Sequence, residues 1–75
     1  MAKVIITGWR EGLLKISMTQ IIQAHTSLGL RSAKSVTDRV MDRDAVELVV
    51  DSIQEAETLV DRLQAVGAEA RVVSE

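Results

Sequence analysis

The chain has no cysteine, no proline, no phenylalanine and no tyrosine, and a single tryptophan is its only aromatic residue. Without cysteine there is no disulfide framework and no thiolate zinc site. One aromatic ring cannot build the stacking platforms that hold single-stranded nucleic acid, and the acidic balance of the chain argues against nucleic acid too. Apolar runs stop at two or three residues, far short of the ~20 that span a bilayer. Met1-Ala2-Lys3 leads straight into the strand-like Val4-Ile5-Ile6-Thr7, so no signal peptide is expected. Enzyme signatures are missing as well: no nucleophile stands beside a base, no glycine loop suits a phosphate, and no residues have metal-ligand spacing. The expectation is a soluble, cytoplasmic, non-enzymatic domain with no cofactor and no metal.

What is present suits one small domain, residues 1–75. A chain of this size buries about 60–65% of its unfolded surface, so its core has little to spare. The net charge of −2 hides a split. Residues 1–37 carry Lys3, Arg10, Lys15, Arg31 and Lys34 against Glu11, a sum of +4. Residues 38–75 carry Arg39, Arg43, Arg62 and Arg71 against ten acids, a sum of −6. Such a split can steer an acidic partner to one end, although small domains also acquire it by chance.

The hairpin expected around the stretch Ser27 to Lys34 gathers most of the first-half cations. An apolar-periodic run ends at Leu28, Gly29 interrupts it, and a second run begins within three residues. Gly29 is therefore expected at a helix C′ position in left-handed conformation, with Leu30 folding back on the preceding turn. The two helices would then form a tight hairpin, the candidate working surface.

In chain order, Lys3–Thr7 is β-branched and reads as the first strand, followed by a loop over Gly8–Gly12. Trp9 in that loop either caps the core or stands exposed as a partner anchor. Ser17-Met18-Thr19-Gln20 fits a capping box that opens the first helix, with Ile16 and Ile21 as its hydrophobic staple. Met18, Ile21, Ile22 and His25 form one helical stripe, and His25 is expected as a partly buried structural histidine. The second helix spans about Arg31 to Met41, with Ala33, Val36, Thr37 and Val40 inward. Asp38, Asp42 and Asp44 interleave with Arg39 and Arg43, which predicts a salt-bridged surface rather than an ion site.

Ala45 to Val50 alternates as a second strand. Ser52-Ile53-Gln54-Glu55 is another capping box, opening a helix whose stripe is Ile53, Ala56, Leu59, Val60, Leu63 and Val66, closed by Gly67. Ala68 to Val73 is the last strand. The order β-α-α-β-α-β predicts an α+β domain: a three-stranded sheet, the first strand central and antiparallel to both others, with three helices on one face. The alternation leaves open whether Ile5, or Val4 and Ile6, face inward. The uncovered face, with Ile5, Thr7, Val49 and Val73 as candidates, is a surface for a homodimer, as is Trp9.

With this order of elements the chain resembles the C-terminal domain of the bacterial large-subunit ribosomal stalk protein, L-seven/L-twelve. The likeness runs from Lys15 through Lys34, including Leu28-Gly29-Leu30-Arg31-Ser32-Ala33-Lys34, and resumes at Val66-Gly67-Ala68-Glu69-Ala70-Arg71-Val72. The resemblance implies binding of a translation GTPase or ribosome-associated factor through the first two helices. Lys15, Ile16, Ser17, Met18 and Lys34 occupy the matching positions, with Arg31 beside them in the hairpin. Gln20 and Gln23 stand where the family has basic residues, and Ser27 replaces a glycine. A family proline before the second strand has no counterpart, nor do the dimerisation domain and hinge. A stand-alone relative of the binding domain is thus the expectation. The alternative is an adaptor of the Clp-protease type, which shares the general fold; its Asn-Asp pair and proline before the first helix are missing here.

Overall fold

The computed structural model describes residues 1–73. Its elements are β1 (Ala2–Trp9), α1 (Lys15–His25), α2 (Leu30–Met41), β2 (Val46–Val50), α3 (Ile53–Ala65) and β3 (Ala68–Val73). The sheet has the order β2-β1-β3, and β1 is antiparallel to both neighbours. The expected α+β architecture is therefore present. Alternation along the strands fixes which face is covered. Ala2, Val4 and Ile6 of β1, Val46, Leu48 and Val50 of β2, and Ala68 and Ala70 of β3 are buried in one core. Ile5, left undecided by the pattern, is half-buried on the other face. A bulge between Ile6 and Gly8 carries β1 on to Trp9, so the expected loop over Gly8–Gly12 starts two residues late.

The helix α3 is the best-specified element. Ser52 Oγ accepts from the Glu55 amide at 3.1 Å, as the capping box requires. Ala56, Leu59 and Leu63 are fully buried, while Ile53, at the edge of the stripe, is 51% exposed. Gly67 ends the helix with φ +104°, and its N–H bonds Gln64 O at 3.1 Å. Truncating Leu63 removes packing from the centre of this core. Leu63→Ala should therefore lower the unfolding free energy by roughly 2–5 kcal/mol, measured as a lower denaturation midpoint. An unchanged midpoint would mean that this stripe is not the core.

The start of α1 departs from expectation. Ser17 is not its cap: the helix opens at Lys15, with Leu14 extended at the N-cap and no side-chain cap. The cause is tertiary. Arg10 N–H bonds Gly67 O at 2.8 Å and Leu14 N–H bonds Val66 O at 3.0 Å, so the loop is docked on the α3–β3 turn. The helix starts as soon as the chain leaves that contact, with Met18 N–H on Leu14 O at 2.9 Å. Ser17 then falls inside the first turn, and Ile16 makes no staple; it is 77% exposed.

The end of α1 departs too. Thr26, not Gly29, terminates it: its hydroxyl donates to Ile22 O at 2.7 Å and accepts from Leu28 N–H at 3.2 Å. Gly29 lies in extended conformation, φ −76° and ψ 177°, as the N-cap of α2. Leu30 begins that helix and is 55% exposed rather than folded back. His25 is half-buried as expected, but it has a partner, Glu55, with Nδ1 to Oε1 at 2.8 Å. The pair ties the last turn of α1 to the first turn of α3.

At the end of α2, Asp44 N–H bonds Arg39 O and Arg43 N–H bonds Val40 O, a Schellman motif with Arg43 at φ +70° where glycine is usual. A compensating contact holds it. The Arg43 guanidinium lies 4.4 Å from the centroid of the Trp9 ring. Trp9 is half-buried against the core, with its Nε1 lacking a hydrogen-bond partner among the described residues. It caps the core rather than standing exposed. Arg43 is thereby withdrawn from the expected salt-bridged surface, where one long pair remains among the described residues, Arg39 to Asp44 at 3.9 Å.

Candidate functional site

The hairpin of α1 and α2 has a buried polar seam beneath an apolar and basic rim. Thr19 and Thr37 are the only buried polar residues among those described, and their hydroxyl oxygens lie 2.8 Å apart. Each also reaches a carbonyl one turn back, Lys15 O at 3.0 Å and Ala33 O at 3.2 Å. A hydroxyl has one proton, so two of these three contacts form at any moment and both oxygens stay satisfied. The pair fixes α2 against α1 where apolar residues alone would allow sliding.

Above the seam, Lys15, Ile16, Thr19, Lys34, Thr37 and Asp38 line a groove of about 180 Å³. A second hollow adjoins it, where Ile16 and Lys34 meet Gln20 and Leu30. Arg31 stands at the outer rim with Leu30 and Ser35. Ile16 at 77% and Leu30 at 55% are open to water in these hollows, and Leu14 at 57% in a further one that it shares with Lys15 and Ile16. Three cations and one carboxylate, Asp38, surround them, which leaves a positive surplus. Neither helix has an acidic residue in its first turn or a side-chain cap at its N-terminus. Their free amides add to the positive field.

The expected site residues divide accordingly. Lys15, Ile16 and Lys34 converge on one groove, and Arg31 borders it. Ser17 is half-buried and faces the hollow formed by Leu13, Leu14, Lys15 and Ile16. Met18 does not belong to the surface: it is fully buried in the core. The stripe of Met18, Ile21 and Ile22 faces the core, as their spacing requires, and position 16, about 200° from position 18 on the helix, faces outward. Leu14 and Leu30 were missed. Their signal was available in the alternation of Leu14-Lys15-Ile16 and Leu30-Arg31, apolar beside basic at both helix starts.

Elsewhere His25, Glu55 and Asp51 border a polar depression with Thr26 and Ser27. Among the described residues no group of three or more His, Cys, Asp or Glu side chains could hold a metal ion. No helix among the described residues is long and apolar enough to cross a membrane. In comparison with known proteins, the chain matches no family model and no curated protein.

Proposed function

We propose that the chain is a non-enzymatic protein-interaction module that receives an acidic partner with apolar side chains along the α1–α2 groove. One observation carries this reading: Ile16 and Leu30 are exposed in adjoining hollows that share Lys34, with Lys15, Arg31 and Asp38 at their rims and Leu14 exposed in a further hollow beside Lys15 and Ile16. Singly exposed leucines are ordinary, whereas a cluster beside a surplus of positive charge suits a docking surface. The likeness of Lys15–Lys34 to the ribosomal stalk domain supports a translation GTPase or ribosome-associated factor as the partner class. The cations act mainly by steering, over the 8–10 Å that ordinary salt allows. The apolar trio supplies the contact that must be broken for release.

The test is binding kinetics against a purified translation GTPase. Lys34→Glu should slow association by roughly three- to ten-fold at low salt and flatten its salt dependence. The circular-dichroism spectrum should stay unchanged, because Lys34 is exposed. Absence of binding by the parent chain would remove that partner class. Binding insensitive to Lys34→Glu and to Ile16→Asp would reduce the hairpin to scaffold.

A further inference from the structure

All three helices pack on one face of the sheet, and no described element covers the other face, which carries a particular arrangement of side chains. Its rows follow from the strand register. Ile5 of β1 pairs with Glu47 of β2 and with Arg71 of β3; Lys3 pairs with Val49 and with Val73. One row therefore reads Glu47-Ile5-Arg71, and the next reads Val49-Lys3-Val73. Glu47 and Arg71 are exposed, Val49 is 50% exposed, and Ile5 and Val73 are half-buried. No ion pair or hydrogen bond engages the Glu47 or Arg71 side chain among the described residues.

We propose that this face binds a second copy of the chain about a two-fold axis parallel to β1. Such an axis exchanges the two edge strands and leaves the position along the strand unchanged. Glu47 of one copy then lies over Arg71 of the other, and Arg71 over Glu47. Val49 falls on Val73 twice, and Ile5 meets its counterpart at the axis. A two-fold axis across the strands would instead set Glu47 on Glu47 and Arg71 on Arg71, so the charges select one orientation. Sheets stacked face to face lie ~10 Å apart with strands within about 30° of each other, a gap that Glu and Arg side chains span together. The one like-charge meeting is Lys3 with its counterpart. Lys3 already has an interaction partner within its own chain, and its long stem lets the ammonium leave the apolar contact. A net charge of −2 per chain adds little general repulsion.

The face is only three strands wide, at ~4.8 Å per strand, which is narrow for a stable interface of ~800 Å² per partner. The dimer is accordingly weak and is sought at up to millimolar concentration. Sedimentation equilibrium on the full chain should show the apparent mass rising toward twice the monomer's. Amide shifts should move with concentration at residues 3, 5, 47, 49, 71 and 73. Glu47→Arg or Arg71→Glu alone sets like charges opposite each other and should weaken association at least ten-fold. The double variant Glu47→Arg/Arg71→Glu restores both pairs across the same axis and should return affinity to within about three-fold of the parent. A chain that stays monomeric, concentration-dependent shifts confined to α1 and α2, or a double variant as weak as the singles would each overturn the proposal.

Discussion

Gly67→Val should remove roughly 3–4 kcal/mol of stability and lower the melting temperature by more than about 10 °C. Two independent costs meet at this residue. Its φ of +104° lies where a β-branched side chain is strained by about 1–3 kcal/mol. A Cβ there would also lie 3.0 Å from Leu13 Cα and 3.4 Å from Leu13 N. Both atoms belong to backbone, so no side-chain rotation relieves the contact. Leu13 cannot retreat either, because Arg10 N–H and Leu14 N–H are bonded to Gly67 O and Val66 O on the same turn. A domain of this length has roughly 4–11 kcal/mol in all, so the variant would be partly unfolded near physiological temperature. Gly29→Ala is the control. Gly29 has ordinary φ, and a Cβ added to it would meet nothing within 4 Å. Its change should stay within about 1 kcal/mol. A Gly67→Val melt within about 3 °C of the parent's would show that the turn relaxes freely.

The consequence reaches the groove. The loop that docks on Gly67 is the one that delivers Leu14, Lys15 and Ile16 to the hairpin surface. A change some residues away on the α3–β3 turn should therefore weaken binding in whatever fraction stays folded. It should do so without touching any residue of the groove.

The parts of the fold that were legible in the sequence are those specified by local chemistry. Ser52 caps α3 through its own hydroxyl, Gly67 ends it through its own backbone freedom, and β2 alternates because one face is buried. Each of these reads from a few consecutive residues. The α1–α2 hairpin was read with its boundaries shifted because its ends are set by distant partners. Ser17 has the right neighbours for a cap, yet the docked loop puts the cap at Leu14, three residues earlier. Gly29 looks like a helix stop, yet Thr26 makes both hydrogen bonds that a stop requires. Such a shift alters neither the fold nor the inward stripe of Met18 and Ile22; it brings Lys15 and Ile16 onto the helix and leaves Ser17 inside its first turn. Lys15 and Ile16 kept their place in the site, and Met18 lost its place. Trp9 was undecidable for a related reason: what covers it is Arg43, thirty-four residues away, held in a left-handed conformation that no propensity favours.

The angle of about 200° between positions 16 and 18 gives two nearby residues on one helix opposite fates. Met18→Asp should unfold the domain. Met18 is fully buried in a core whose only buried polar companions among the described residues are Thr19 and Thr37, so a carboxylate there has no cation to pair with. Burying it unpaired costs several kcal/mol whether it stays charged or takes up a proton. Losing the methionine side chain adds a cavity cost of roughly 2–5 kcal/mol. Together they equal or exceed the roughly 4–11 kcal/mol available. Met18→Leu, which keeps volume and polarity, should cost less than about 1.5 kcal/mol. Ile16→Asp, two residues earlier on a side chain 77% exposed, should shift stability by no more than about 0.5 kcal/mol. It should raise the dissociation rate from a groove-bound partner, because it replaces apolar contact with a carboxylate that must be desolvated. Amide dispersion in proton–nitrogen spectra and a thermal melt distinguish the variants directly. A folded Met18→Asp with a parent-like melt would mean that position 18 faces solvent and that α1 is turned the other way about its axis. With Met18 inward, only Ile16→Asp leaves a folded protein whose binding can be measured, and its dissociation rate then reports on the groove alone.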